Sequence, residues 1–225
     1  KPDLARAETF AHAFGFATVF RTEDELQLRG TDAGSPCLLI RRGPGSRFIG
    51  MAFHAVDEAD VRRLATATGA PTRALPETLG GLAVDLVDPS GIAVHVVAGS
   101  HQLEALPSPA PHTFNFGHKL RRANATQRPP RQPAQVKRLG HVVVQTTKYL
   151  ETLNWYLDHL GLIVSDFLFF PGQRDRGPTM SFIRCDRGQT PTDHHTLALA
   201  LGPRNRYVHS AYQVCDLDTL AAGEL

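Results

Sequence analysis

Apolar side chains recur at helical spacing at Leu4, Ala7, Phe10, Ala11 and Phe14, just ahead of Gly15. That pattern predicts an amphipathic helix over 4–14 which stops at the glycine. Short apolar or alternating runs follow: FATVFRT at 16–22, ELQLRG at 25–30, CLLIRRG at 37–43 and FIGMAFHAV at 48–56. Each is read as a strand. Residues 57–69 (DEADVRRLATATG) form a helix with Asp57 at its N-cap and Gly69 at its end. A carboxylate can accept a free first-turn N–H, and glycine tolerates the left-handed residue that closes a helix. LAVDLVDPSGIAVHVVA at 82–98 reads as strand, Asp-Pro-Ser-Gly turn, strand. The pattern then resumes with strand LGHVVVQTT (139–147), helix LETLNWYLDHL (150–160) stopped by Gly161, and strands LIVSDFLFF (162–170), TMSFIRC (179–185) and HHTLALAL (194–201). YVHSAYQVCDLDTLAA (207–222) closes the series as a strand running into a helix.

Residues 101–136 break this rhythm. Six prolines (Pro107, Pro109, Pro111, Pro129, Pro130, Pro133) and the basic Lys119, Arg121 and Arg122 lie there without a sustained period, which predicts a linker over a surface. Its charge is read as a solvated face rather than a nucleic-acid site. The linker divides the chain into an N-terminal domain over 1–100 and a C-terminal domain over 137–225. The pattern starts and stops within elements, so the chain is expected to be a fragment at both ends.

The two domains superimpose as sequences. AHAFGFATV (11–19) matches YLDHLGLIV (156–164), with Gly15 on Gly161, and IGMAFHAVDEADV (49–61) matches VHSAYQVCDLDTL (208–220), with Asp57 on Asp216. Both offsets fit one βαβββ unit used repeatedly. A period this long is a duplicated module, not a solenoid. A single βαβββ unit leaves an open curved sheet; two of them pair into a half-barrel with a concave, ligand-sized face. The fold class is therefore α+β, with duplicated βαβββ modules in two half-barrel domains.

Composition narrows the function classes. At 225 residues, 42% hydrophobic and 20% charged, the chain has material for an ordinary packed core. Its 24 basic and 22 acidic residues leave a net charge of +2, which argues against nucleic acid or a membrane surface as partner. No apolar run is long enough to span a bilayer, and nothing marks secretion. Cys37, Cys185 and Cys215 form no CxxC pair. An odd, scattered set fits a reducing cytoplasm, and none has a partner for nucleophilic chemistry. The unusual count is eleven histidines.

GHVVVQTTKYLETLNWYLDHLGLIVSD (140–166), HHTLALALGPRNRY (194–207) and VHSAYQVCDLDTL (208–220) together resemble the vicinal oxygen chelate superfamily. Within it, they are similar to the two-domain extradiol ring-cleavage dioxygenases of the catechol and 2,3-dihydroxybiphenyl type. The resemblance implies the glyoxalase/bleomycin resistance/extradiol dioxygenase fold, an N-terminal domain that has lost its metal and a C-terminal domain that keeps it. In line with that, Gly50 stands where the second half has His209, and His95 holds the first-half position of a carboxylate ligand. The resemblance further implies Fe(II), or else Mn(II), on two histidines and one carboxylate, a set that leaves positions open for a bidentate catechol and O2.

By position, His141 and His209 are the metal ligands, and the third, a carboxylate, is expected beyond Leu225; Glu224 has no geometric claim. Two imidazoles alone hold a metal weakly, so the ion is expected to be absent from this chain. His195, with His194 beside it, falls at the family's acid–base histidine, and strand alternation is expected to decide which ring points inward. Phe167, Phe169 and Phe170 are candidate pocket residues, Trp155 and Tyr156 are packing residues, and GPRNRY is a solvated turn. The resulting expectation is an enzyme of aromatic-compound degradation, cytoplasmic and homo-oligomeric, acting on a catecholic small molecule and O2. Two readings compete: a metal-free small-molecule binding protein of the same superfamily, and a glyoxalase-type metal-dependent isomerase.

Overall fold

A computed structural model describes residues 1–108, 110, 113–124 and 133–224. The chain forms two compact, discontinuous units. One comprises Lys1–Ser46, Gln102–Leu139 and Tyr212–Leu225; the other comprises Arg47–His101 and Gly140–Ala211.

In the first unit, helix α1 (Leu4–Phe14) begins at Asp3, whose side chain accepts the Arg6 N–H, and ends at Gly15 with φ 108°. Strands β1 (Ala17–Arg21), β2 (Glu25–Arg29) and β3 (Leu38–Arg41) form an antiparallel sheet in that order. Its core is Ala11, Phe16, Leu26, Leu28 and Val136, with Tyr212 packed against it. Tyr212 meets Phe16 edge-on at 4.8 Å between ring centroids, a geometry that sets the electropositive ring edge on the neighbouring π face. Gly15 is required here twice over: its φ is positive, and a Cβ would lie 2.6 Å from the Ala134 carbonyl oxygen.

In the second unit, β4 (Gly50–His54), α2 (Glu58–Thr68), β5 (Thr72–Ala74), β6 (Leu82–Val87) and β7 (Ala93–Ala98) make one complete βαβββ module. Its sheet order is β4-β7-β6-β5, with β4 parallel to β7. A second module repeats the topology: β8 (Val136–Thr146), α3 (Tyr149–Leu160), β9 (Ile163–Leu168), β10 (Met180–Arg184) and β11 (Leu197–Leu201). Here β8 is parallel to β11, and the sheet reads β12-β8-β11-β10-β9 once β12 (Arg206–Val214) joins its edge. Helix α4 (Leu217–Glu224) follows β12. The duplicated α+β architecture expected from the sequence is thus present.

The repeat holds at the level of individual hydrogen bonds. Asp57 caps α2 by accepting the Asp60 N–H at 2.9 Å, and Asp216 caps α4 by accepting the Thr219 N–H at 2.8 Å. Gly15 and Gly161 both close a helix in the left-handed conformation before a strand begins.

The expected elements depart from the structure in two places. HHTLALAL is a strand only from Leu197, so His194 and His195 precede β11. The short β5, antiparallel to β6, carries too few residues to show a period. Pro109, Pro111, Pro129 and Pro130 of the expected linker lie outside the described residues. Its described part does contain a tight turn, where Phe116 and Lys119 exchange both backbone hydrogen bonds and the Asn115 Oδ1 accepts the N–H groups of Arg121 and Arg122. No helix among the described residues is long and apolar enough to cross a membrane.

Candidate active site

The β8–β11 sheet has two chemically different faces. Register places Val142, Leu197 and Ile183 side by side, and Val143, Ala198 and Phe182 side by side. Successive strand residues point to opposite faces, so the first row lies behind the sheet and the second lies in front. Behind it, Val144, Leu197, Leu199 and Ile183 are fully buried together with Tyr156 of α3. The Tyr156 hydroxyl donates to Asp88 Oδ2 at 2.9 Å. Asp88 in turn accepts three hydrogen bonds through Oδ1, from the Ser90 N–H and hydroxyl and the Ile92 N–H. Burial and the neighbouring Asp88 carboxylate push the Tyr156 phenol far above its usual range, so it stays a donor. This network holds the DPSG turn against α3 and gives the sheet a rigid back.

The front face carries imidazoles. His141, two residues before Val143 on β8, lies with its ring centroid 5.6 Å from that of His209 on β12, at an interplanar angle of 68°. His195 lies closer still, 4.2 Å from His141. Phe182 closes the other side of His195, edge-on at 4.9 Å. Three histidines separated in sequence by up to 68 positions therefore share one spot on the sheet.

The loop bearing His195 is held from three strands. The Thr196 N–H donates to the Ile183 carbonyl at 2.8 Å, and the Val142 N–H donates to the Thr196 carbonyl at 3.1 Å. The Ser165 hydroxyl donates to the His194 carbonyl, and Arg184 Nη1 donates to that hydroxyl oxygen at 2.7 Å. Because His194 and His195 sit before β11, strand alternation does not set their directions. The loop does, sending the His195 ring to His141 and leaving His194 exposed.

The electrostatics favour neutral rings at His141 and His195. Burial, then the charge of His209, hold His141 below the ordinary imidazole value, and Asp193 pulls in the opposite direction. Burial, then His141 and His194, lower His195, again opposed by Asp193. A neutral imidazole keeps the lone pair that a divalent cation needs, and crowded imidazoles that shed protons are the expected companions of such a cation. The donor chemistry of His141 and His209 thus fits a borderline or hard divalent ion as two of its ligands. Among the described residues, no group of three or more His, Cys, Asp or Glu side chains is arranged to hold a metal.

Other sequence candidates separate from this spot. Phe167 pairs with Ser181 and Asp166 with Phe182, so Phe167 faces away from the imidazoles. Phe169 lies under Arg174 at 4.6 Å, and Phe170 is exposed. The GPRNRY turn is more than solvated: Asn205 Oδ1 accepts the Thr147 N–H at 2.8 Å, its Nδ2 donates to the Ser90 carbonyl at 2.7 Å, and Arg206 Nε donates to Gln145 Oε1. Trp155 meets Tyr156 edge-on and stacks on His159, which is packing, as expected. In the other module, His95 gives its Nδ1 to Asp85 at 2.6 Å, and Arg73 grips the same carboxylate through two nitrogens. Asp193 and Phe182 went unnoticed in the sequence. Asp193 adjoins the His-His pair, but an Asp there reads as loop polarity. Phe182 alternates in a strand like any core residue.

Comparison with known proteins places the chain. No protein-family model matches it. It is 30% identical over 229 residues to metapyrocatechase 2 of Cupriavidus necator, a match that covers 99% of this chain and 65% of that protein. Its structure resembles the Mn(II)-bound glyoxalase of Novosphingobium aromaticivorans (TM-score 0.72, 20% identity, 97% of this chain and 64% of that one). It also resembles homoprotocatechuate 2,3-dioxygenase of Arthrobacter globiformis (TM-score 0.73, 20% identity, 99% of this chain and 63% of that one). The βαβββ modules, with β4 parallel to β7 and β8 parallel to β11, lie within the fold this chain shares with the two solved structures. At 20% identity the likeness to these two structures is one of fold. It spans just under two thirds of the length of these three relatives.

Proposed function

We propose that the chain is part of an extradiol ring-cleaving dioxygenase acting on a catecholic aromatic compound. The observation that carries the reading is the convergence of His141, His209 and His195 on one face of the β8–β11 sheet, joined to the likeness to a metapyrocatechase. In this reading, residues 1–100 form the metal-free domain, 101–136 the linker and 137–225 the catalytic part.

His141 and His209 would hold the metal, with Fe(II) preferred over Mn(II), and a carboxylate that the described residues do not contribute completes the set. When bound, the ion supplies a Lewis-acidic centre that brings an adjacent pair of hydroxyl oxygens and O2 together. The chain's own residues do the remainder. His195, clamped through Thr196 and packed on Phe182, stands beside the ring of His141, where it would serve the hydroxyls of a bound substrate. Its depressed affinity for protons keeps it a base at neutral pH, able to take a catechol proton at ring nitrogen and return it later. Phe182, Val143 and Ala198 make the sheet face beneath it apolar, which favours a flat aromatic ring and excludes water.

The test is anaerobic loading of the whole enzyme, carboxylate ligand included, with Fe(II), followed by exposure to air with a panel of catechols that includes 3-substituted ones. A yellow ring-opened product is expected. Absence of product across the panel, with tight binding of aromatic ligands in metal-free protein, would move the assignment to a binding protein. Isomerisation of a thiohemiacetal without O2 uptake would move it to a glyoxalase-type enzyme.

A further inference from the structure

Strand β3 lies at the edge of its sheet, with β2 as its one neighbour there. Its backbone groups alternate in direction. The Arg42 N–H donates inward, to the Asp24 carbonyl at 2.8 Å, and the Gly43 N–H donates outward, to the Lys1 carbonyl at 3.0 Å. The Lys1 amine in turn donates to the Arg41 carbonyl at 2.9 Å. A residue bonded to both neighbours of the residue beside it is the pattern of a parallel ladder. Lys1 therefore stands in parallel register with Arg42.

The same geometry recurs where a module is complete. LLIRRGP (38–44) matches LALALGP (197–203), so β3 corresponds to β11 and Gly43 to Gly202. On β11, Leu201 pairs in parallel with Thr146, and the Gly202 N–H donates to the Thr146 carbonyl at 3.0 Å. Thr146 is the last residue of β8, and α3 begins three residues after it, just as α1 begins three residues after Lys1. Lys1 thus takes the place of Thr146, and the remainder of β8 corresponds to a slot along β3. In the β4–β7 module that slot holds β4, again parallel.

We propose that the outer edge of β3 is a docking site for a parallel strand, and that the segment of this polypeptide leading into Lys1 fills it. The docked strand is independent of the metal and of the dioxygenase reading. Register specifies it. Counting back from Lys1, its residues meet Arg41, Ile40, Leu39 and Leu38 in turn. Leu38 and Ile40 pack on the core of Ala11, Phe16, Leu26 and Leu28, and paired residues share a face. The second and fourth residues before Lys1 are therefore apolar, as Val144 and Val142 are at the matching places of β8. By the alternation set at Arg42 and Gly43, the N–H groups of Leu39 and Arg41 point to this strand. An edge left open there would invite pairing with another chain.

The experiment compares the whole protein with a form of it that begins at Lys1, by residue-resolved amide hydrogen exchange at low and high protein concentration. Exchange at Leu39 and Arg41 is expected to be about 10- to 1,000-fold slower in the whole protein, with a smaller change at Arg42, whose N–H is already bonded within the sheet. Leu39→Pro removes one outward N–H. It is expected to undo the protection of Arg41 in the whole protein and to leave the urea midpoint of the shorter form unchanged, since an open edge tolerates proline. The sequence before Lys1 is a second readout that needs no folded variant. Equal exchange at Leu39 and Arg41 in both forms overturns the proposal. So does protection that grows with protein concentration, which assigns the edge to a second copy, and so do charged residues at the second and fourth places before Lys1.

Discussion

The β4–β7 and β8–β11 modules have the same strand order and the same parallel closing pair, yet their polar side chains are in opposite states. On β7, His95 is satisfied by Asp85, and Asp85 is satisfied again by Arg73: a base, an acid and a second base neutralise one another. On the other module, His141 and His195 are held below their ordinary proton affinity by burial and by neighbouring rings, and the acid nearby, Asp193, only partly offsets this. Gly50, on the strand that matches β12 in sequence, has no side chain at all, and a Cβ there would lie 2.3 Å from the Ala93 carbonyl oxygen. The comparison teaches that the βαβββ scaffold does not itself make a site. A site arises where imidazoles are gathered without the counter-charges that would occupy them.

The strongest test of this contrast is to remove the gathered rings. His209→Ala and His141→Ala are each expected to abolish retention of Fe(II) or Mn(II), measured by metal analysis after dialysis, and ring cleavage with it. His195→Gln is next: metal content stays at the wild-type level while kcat falls about 10²- to 10⁴-fold, and equal metal loss in this variant would contradict the division of roles. Tyr156→Phe leaves the buried Asp88 carboxylate short of one donor, and the fold is expected to lose about 1.5–3 kcal/mol in urea denaturation.

A smaller effect follows from pH. His141 and His195 have depressed values in the fold, so between the ordinary imidazole value of about 6.5 and those lower values the unfolded chain binds more protons. Stability then falls as pH falls through that window and levels off below it. A urea midpoint lower at pH 5.5 than at pH 7.5 is expected, and the difference should shrink in His141→Ala. The smallest effect belongs to the closed module, where His95→Ala is expected to leave metal content and turnover unchanged.

Much of this was legible in the sequence because the governing interactions are local. Asp57, Gly69, Gly15 and Gly161 mark helix ends by backbone chemistry that operates within a turn, and the two aspartate caps preserve the repeat. The grouping of His141 with His209 came from matching residues between halves and from a family resemblance, not from any local pattern. What stayed hidden depends on tertiary geometry. The directions of His194 and His195 are set by the loop's hydrogen bonds, from Ser165 and Val142 and to the Ile183 carbonyl, not by the two-residue period of a strand. Phe182 became a site residue, and Phe167 did not, because pairing sets Phe182 beside Ala198 and Phe167 beside Ser181, in rows that face opposite ways. The link between Tyr156 and Asp88 joins residues 68 positions apart, and each by itself looks like ordinary packing or an ordinary turn.

The most direct measurement is the stoichiometry of divalent metal on the whole enzyme of which this chain is proposed to be part, carboxylate ligand included, and on its His141→Ala and His209→Ala variants, followed by the electron paramagnetic resonance of Mn(II) during anaerobic titration. One ion per wild-type chain, with none held by either variant, is the predicted result. Wild-type stoichiometry in both variants would contradict the account.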